Sequence, residues 1–507
     1  MEEFKSFTDL GEKEDINENS ADSNMTFYIE LFEKSFRVSV RLKSFSLTFE
    51  RNVQIEGSFL KHEDGSKNPH RLKYKNELKR TILQLVRSMM EEVEKDSFNY
   101  IYREPTWGTL TGIRPTKNAL NYFRDGLSFH DVSSALEKEY ALRDDKKKLI
   151  AGIASKEFDI LNSIGMERVH EGYSLYIGIP FCPTRCEYCS FAAYKYSAVS
   201  QYVEDYLKVL KKEIKEVSEK YGSAPLSIYI GGGTPTALNC EELKVLLDCV
   251  NETFDMDKVT EYTCEAGRPD SLDYNKLRLL KDAGVQRISI NPQTMNDDTL
   301  KLIGRAHNVS QVKEIFSLAK KCGFDSVNAD LIAGLPGESL EDFCYTLNEL
   351  IELAPDNITV HSLVVKRASA LRPKLEEEYS KGLKDLKDES ENSHNSMEEI
   401  ILKKDILLEK MIELSCEKLE KHGYMPYYMY RQKNAKGHFG SSGQENIGFS
   451  KAGKECLYNI LIMEEVQSII GVGAGASTKA YDKDKQIVKR TSNVKSLTDY
   501  IERGLRG

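Results

Sequence analysis

The sequence predicts an α/β fold: a partial, open (β/α)6 barrel of TIM-like form, with an N-terminal α+β domain before it and a small C-terminal domain after it. Three observations carry that expectation. Between Tyr173 and His361 short apolar runs alternate with stretches of helical period, the pattern of parallel strands joined by right-handed crossovers. The strand-like run recurs six times, short of the eight that close a full barrel. Each expected strand also leads into a glycine turn or a polar residue, as barrel strands do at the end that faces a ligand.

In chain order, a length of 507 residues exceeds one ordinary core. Residues 1–24 are acidic and rich in Ser and Asn, and read as a disordered leader. Residues 25–170 read as the α+β domain. There Phe27, Ile29 and Leu31, then Phe36, Val38, Val40 and Leu42, alternate as in antiparallel strands, and a third run covers 45–49. A helix over 72–93 follows, with Leu78, Ile82, Leu85, Val86, Met89 and Val93 on one face. The loop from Pro105 to Lys117 holds the only tryptophan, Trp107, with Gly108, Gly112 and Arg114; a substrate clamp and a domain-packing loop are both open there. Helical patterns fill 116–164.

Residues 171–365 hold the barrel. Strands are expected at 173–178, 226–230, 258–264, 286–290, 325–330 and 357–361, and helices at 199–220, 240–253, 272–283, 309–321 and 339–353. Residues 366–396, highly charged, read as a solvated linker or insertion. Residues 397–507 form the C-terminal domain, opening on a helix over 397–421. The run from Gly471 to Ser477 lacks both GxGxxG spacing and a βαβ frame, so it predicts a tight turn rather than a dinucleotide site.

Composition narrows the function. With 40% hydrophobic and 30% charged residues and a net charge of −9, the chain shows no basic stripe with interleaved aromatics, which argues against nucleic acid as a partner. No run of eighteen apolar residues predicts a membrane span, and the acidic start lacks a signal-peptide core, so a cytoplasmic protein with reduced thiols is expected. Seven of the ten cysteines, Cys264 and Cys456 among them, are scattered singly and read as small core residues.

The other three are different. Cys182, Cys186 and Cys189 stand at CxxxCxxC spacing in a loop after the first barrel strand, and three thiols cannot all pair as disulfides. Soft thiolates point to zinc or an iron–sulfur cluster. Structural zinc wants four closed ligands, and no second Cys or Cys/His pair lies nearby, so a three-ligand cluster fits better. Later strand ends bring Gly231, Gly232, Gly233 and Thr234, then Glu265, Gln293, Arg305 and Asp330 toward the same mouth. Each has an ordinary reading as turn, cap or surface charge; together they form a ring of ligand groups.

The cysteine spacing, with Tyr188 just before the last cysteine, resembles the signature of the radical S-adenosylmethionine (SAM) enzymes, and the order of later motifs over about 170–480 resembles their oxygen-independent coproporphyrinogen oxidase branch. The resemblance implies a [4Fe-4S] cluster on Cys182, Cys186 and Cys189, its fourth iron open to SAM. It implies that Gly232, Gly233 and Thr234 cradle the amino-acid part of SAM, and that Glu265, Gln293, Arg305 and Asp330 hold the cofactor. Tyr176 matches the tyrosine ahead of the cluster, and Tyr188 an aromatic residue that contacts a second SAM. The Trp107–Lys117 segment, the loop from Cys182 to Cys186, the run from Tyr427 to Asn434 and that from Gly453 to Asn459 resemble the HemZ-type coproporphyrinogen dehydrogenases.

The activity implied by this resemblance is oxidative decarboxylation of coproporphyrinogen III to protoporphyrinogen IX by a monomer, with a low-potential donor such as flavodoxin or ferredoxin. Arg114, Lys117, Arg431 and Lys433 are candidate partners for the tetrapyrrole carboxylates. One departure is Phe191, where the branch's oxidases carry a further, non-ligating cysteine. Its absence is shared with haem-chaperone relatives, so a non-catalytic haem carrier on the same scaffold is one alternative. A SAM-dependent tetrapyrrole methylating or ring-opening enzyme is another.

Overall fold

The structure, a computed structural model, describes residues 25–31, 35–42, 47–54, 70–96, 105–189, 193–364, 369, 371–373, 396–432, 445–485 and 487–506. The expected leader, Lys433, Phe191 and nearly all of the charged linker lie outside the described residues. Two compact units emerge: residues 1–111 with 126–151, and residues 112–125 with 152–507.

In the first unit β1 (Met25–Leu31), β2 (Ser35–Leu42) and β3 (Leu47–Gln54) form an antiparallel sheet in the order β1-β2-β3. Phe36, Val38 and Val40 of β2 meet Tyr74, Leu78, Ile82, Leu85, Met89 and Val93 of the helix His70–Asp96 in one core. The alternation of period two on the strand and of helical period on the helix dictates this pairing of faces. The tryptophan loop packs: Trp107 is buried under Lys146, and Gly108, at φ +49, lies against the Tyr140 carbonyl where no side chain fits.

The second unit is built on one large sheet. Its parallel part comprises β4 (Tyr173–Ile179), β7 (Ser227–Gly232), β8 (Glu261–Gly267), β9 (Arg287–Gln293), β10 (Ser326–Ala333) and β11 (Asn357–Ser362), each paired in parallel with the next. The short strands β5 (Phe181–Cys182) and β6 (Tyr194–Lys195) form a separate parallel pair. Crossover helices Val203–Tyr221, Cys240–Thr253, Tyr274–Asp282, Val309–Cys322 and Leu340–Leu353 run between them. Three of these open on reciprocal caps, Asn239 with Glu242, Asn308 with Gln311 and Ser339 with Asp342, which satisfy the first backbone donors. All of β9 is buried, as expected of a strand covered on both faces. The fold is the partial, open α/β barrel that the six repeats anticipate.

The C-terminal chain joins that sheet at both edges. β12 (Met425–Arg431) and β13 (Glu445–Ser450) add antiparallel beyond β11, while β14 (Ser468–Val472) lies parallel to β4 and carries β15 (Ser477–Asp482) and β16 (Ile487–Ser492). The parallel sheet therefore has one strand more than the repeats suggest, donated from almost three hundred residues downstream through the pairing of Ser468 with Tyr173. The glycine run is the turn between β14 and β15; Gly473, at φ +99, is pressed against the Gly178 carbonyl and the Tyr206 hydroxyl. Among the described residues no helix is long and apolar enough to cross a membrane.

Candidate functional site

The cysteine loop leaves the C-terminal end of β4, and the glycine turn after β7 is docked onto its start. Gly233 N–H donates to the Ile179 carbonyl and Thr234 N–H to the Phe181 carbonyl, each at 2.7 Å. A Cβ on Gly233 would stand 2.5 Å from the Phe181 oxygen and 3.0 Å from Cys182 Sγ; on Gly231 it would stand 2.7 Å from Glu265 Oε2. Gly232 adopts φ +111, a conformation that side chains disfavour. The Thr234 hydroxyl reaches Cys182 Sγ at 3.6 Å. Only glycine lets this turn lie so close to both a thiol and a carboxyl.

The rest of the loop is held from several directions. Cys189 N–H closes a turn on the Cys186 carbonyl at 3.2 Å, Glu187 N–H donates to Ile303 O at 3.0 Å, and the Glu187 carbonyl accepts from the Ser369 hydroxyl at 2.6 Å. Tyr188 packs on Leu300, Ile303, Ile332 and Leu335, and its hydroxyl accepts from Arg305 Nη2 at 2.7 Å. All three cysteines are half-buried and outside any disulfide. Burial pushes the Cys182 thiol up to about 11, and the nearby Cys186 and Cys189 add to the rise. Among the described residues no three Cys, His, Asp or Glu side chains close around a single ion. An iron–sulfur cube spreads its thiolates over separate corners and does not require that closure.

Irregularities in the sheet accompany the polar residues facing the mouth. The register between β8 and β9 shifts between Cys264 and Gly267, around Glu265; that between β10 and β9 shifts between Ala329 and Leu331, at Asp330. Such bulges re-aim side chains, and they recur beside functional sites. Burial and the neighbouring Asp330 carboxylate lift Glu265 to about 7, against a backbone N–H from Gly232. Asp330 accepts from Asn328 Nδ2 at 2.7 Å and faces His361 Nε2 at 3.6 Å. His361 Nδ1 lies 3.2 Å from Asn446 Oδ1. Burial lowers the His361 pKa, but the bond to Asp330 outweighs it and the imidazole is pushed above its usual range.

Gln293 ends β9 at φ +74, and its side-chain oxygen is buried with no hydrogen-bond partner. A strained backbone and an orphaned acceptor in one residue suit a group that contacts a ligand. Arg305 donates to the Asn291 carbonyl at 3.1 Å as well as to Tyr188, and its buried Nε is likewise unpartnered. Tyr176 belongs to a stack with Tyr229 and Tyr458, whose ring centroids lie 4.4 Å apart, and the charge of Glu265 is felt by all three phenols. The stack lies beside the carboxyl.

The structure thus brings Cys182, Gly232, Gly233 and Thr234 together, Tyr176 and Asp330 beside Glu265, and Tyr188 beside Arg305. Of the cations expected to bind a tetrapyrrole, Arg114 has other work. Arg114 pairs with Glu465 at 2.6 Å and donates to the Met463 carbonyl at 3.1 Å, so its guanidinium is committed within the fold. Arg431 is half-buried, and desolvation lowers its pKa to about 10; its backbone N–H donates to Ile113 O at 2.7 Å. Lys117 is half-buried, and Lys433 is outside the described residues. Cys264 and Cys456 are core residues, as expected, the latter donating to Glu261 at 3.3 Å.

Three participants escaped the sequence reading. His361 is the penultimate residue of β11, close to where the strand-end rule already pointed. Arg268 lies three residues past Glu265 and donates to Cys186 Sγ at 3.3 Å. Tyr458 lies in the Gly453–Asn459 run that the resemblance singled out, but its contact with Tyr176 is formed only by the fold. Three thiols on an anchored loop, a glycine cradle that any Cβ would fill, an orphaned amide oxygen and a carboxyl titrating near neutrality fit a thiolate-bound cluster with an amino-acid-bearing cofactor beside it.

The chain is similar in sequence to several known proteins. Residues 176–350 match the model of the radical SAM superfamily. The chain is 37% identical over 426 residues to the oxygen-independent coproporphyrinogen-III oxidase-like protein HemZ of Bacillus subtilis (strain 168), covering 81% of this chain and 78% of that one. To the heme chaperone HemW of the same strain it is 34% identical over 305 residues, 60% of this chain and 70% of the relative. The solved structure of coproporphyrinogen III oxidase (HemN) from Escherichia coli aligns with 68% of this chain and 72% of its own, at 20% identity and a TM-score of 0.47.

Proposed function

This chain belongs to the radical SAM family, in the company of HemZ-like proteins, and from that premise we propose that it converts coproporphyrinogen III to protoporphyrinogen IX by oxygen-independent oxidative decarboxylation. The family's cofactors are a [4Fe-4S] cluster and SAM. Cys182, Cys186 and Cys189 would hold the cluster, leaving one iron for SAM; Gly232, Gly233 and Thr234 would line its amino-acid moiety, and Glu265, Gln293, Arg305 and Asp330 the rest. Tyr176 and Tyr188 would flank the cofactors, Tyr188 toward a second SAM. When bound, the pair supplies the one-electron chemistry that takes hydrogen from an unactivated propionate carbon, beyond the reach of side-chain acids and bases.

The side chains' own work is binding and orientation. Gln293 Oε1 offers an acceptor that is already desolvated, so a donor on the ligand would gain a full hydrogen bond at little further cost. Glu265, with a pKa of about 7, can hold or release a proton as the ligand's hydroxyls require. Arg305, fixed between Asn291 and Tyr188, presents a preorganised cation to a carboxylate. The stack of Tyr176, Tyr229 and Tyr458 offers a flat apolar face beside Glu265.

The observation that carries the substrate is the 37% identity over 81% of the chain to a coproporphyrinogen-III oxidase-like protein. The 34% identity to HemW favours a second reading, a haem carrier on the same scaffold. Anaerobic incubation with coproporphyrinogen III, SAM and a strong reductant, followed by chromatography, separates the two. Protoporphyrinogen formed together with 5′-deoxyadenosine supports the proposal. Unchanged coproporphyrinogen from a protein that retains haem refutes it in favour of the carrier.

A further inference from the structure

Resting on the assignment of Cys186 as a cluster ligand, we propose that Arg268 is a positioning residue that sets the reduction potential of the cluster through its hydrogen bond to the Cys186 sulfur. Arg268 follows β8 by one residue, after a turn in which Gly267 takes φ +50. That turn is rigid. The Ser271 hydroxyl donates to the Arg268 carbonyl at 2.7 Å, Thr236 to the Ala266 carbonyl at 2.8 Å, and Lys276 to the Ser271 carbonyl at 3.0 Å. The guanidinium is not a surface charge that happens to lean on the loop, for its side chain is only 4% exposed.

Each N–H of the fork has a partner. Nε and Nη2 meet the two oxygens of Asp270 at 2.8 Å each; Nη2 also donates to Thr184 Oγ1 at 2.8 Å, and Nη1 to Thr184 O at 3.2 Å and Cys186 Sγ at 3.3 Å. The planar fork therefore bridges a strand end to the cysteine loop and aims one donor at one sulfur, a geometry that lysine cannot reproduce. Asp270 holds the fork in register from the other side, and His307 Nδ1 lies 3.6 Å from the same carboxylate. None of these groups takes part in the cofactor ring of Glu265, Gln293 and Asp330.

The consequence is electrostatic. Reduction adds one electron from a low-potential flavin or iron–sulfur donor, breaks no bond, and makes a cluster already bound by thiolates more negative by one charge. A buried cation hydrogen-bonded to a ligating sulfur stabilises that reduced form more than the oxidised one and raises the potential. The hydrogen bond is made to Cys186, and the charge of Arg268 is felt at Cys182 as well.

The test is an EPR-monitored redox titration of anaerobically reconstituted protein, with iron and sulfide content measured beside it, on wild type, Arg268→Met, Arg268→Lys and Asp270→Asn. Arg268→Met should lower the ratio of reduced to oxidised cluster at fixed ambient potential about tenfold, equivalent to ~59 mV for one electron. Arg268→Lys should recover part of that loss, and Asp270→Asn, which removes the counter-charge, should move the potential upward. Arg268→Met with full iron content and the wild-type potential overturns the inference. If Arg268→Met holds no cluster, unchanged potentials in both Arg268→Lys and Asp270→Asn overturn it instead. A wild type that takes up no sulfide-dependent cluster sinks the ligand assignment, and this inference with it, so the two failures are told apart.

Discussion

Replacing Glu265 by Gln should make the cofactor-free protein more stable and its function worse. In the folded state burial and Asp330 raise the carboxyl from 4.5 to about 7. Below pH 4.5 the folded and unfolded chains both hold the proton, and Glu265 costs nothing. As pH rises to about 7 the unfolded chain releases its proton first, and folding is progressively penalised until the folded group also ionises. At about 1.4 kcal/mol per pH unit the full penalty is about 3 kcal/mol, an upper bound because the side chain keeps some contact with solvent. Gln has nearly the same shape and never ionises. In a unit of about 370 residues the relief corresponds to a rise in melting temperature on the order of 4 °C.

The assay is scanning calorimetry of cofactor-free wild type and Glu265→Gln at pH 5 and pH 8. The stability gap in favour of the variant should widen from the lower pH to the higher. A gap that does not change with pH, or a variant less stable at pH 8, would refute the buried, proton-holding carboxyl. With SAM present the gap at pH 8 should narrow, because a ligand hydrogen bond to a charged group, worth about 1.5–3 kcal/mol, is weakened.

Three further outcomes are expected from the same geometry. Gly233→Ala places a methyl 2.5 Å from Phe181 O and 3.0 Å from Cys182 Sγ; it should destabilise by about 1–3 kcal/mol and lower the iron retained after reconstitution, whereas undiminished iron at wild-type stability would show the turn to be looser. Gln293→Leu removes an orphaned buried acceptor, so the cofactor-free melting temperature should hold or rise while SAM affinity, by equilibrium dialysis, falls about tenfold or more; equal affinity would remove Gln293 from the site. Arg114→Ala breaks the pair with Glu465, which retains Lys479 and Arg490, so stability should fall by about 1–2 kcal/mol with no change in tetrapyrrole affinity, and a selective loss of affinity would return Arg114 to substrate binding.

Much of this was legible because the barrel is written in local patterns. The helix Cys240–Thr253 begins and ends where its period and cap place it, and Leu340–Leu353 starts one residue inside the expected range. The strands were legible as apolar runs but too short: β8 continues to Gly267, β9 to Gln293 and β10 to Ala333. At those ends polar residues and bulges replace the apolar pattern, which is why Glu265 and Gln293 lie within strands rather than beyond them, and Asp330 inside its strand rather than at its end. The ring itself was readable from the rule that barrel strands end at the site. What could not be read was long-range. β14 supplies a parallel partner to β4, and Tyr458 a stacking partner to Tyr176, through contacts between segments that share no local signal. Arg114 shows the opposite hazard: a cation in a glycine–proline loop suggests a clamp until its carboxylate partner comes into view.

The most direct measurement of the central claim is low-temperature EPR of the anaerobically reconstituted, reduced protein with and without SAM, for wild type and Cys186→Ser. Wild type should give a cluster signal whose shape changes when SAM is added, and Cys186→Ser should give neither signal nor response. A signal indifferent to SAM, or one that survives the loss of Cys186, contradicts an open-cornered cluster held by this loop.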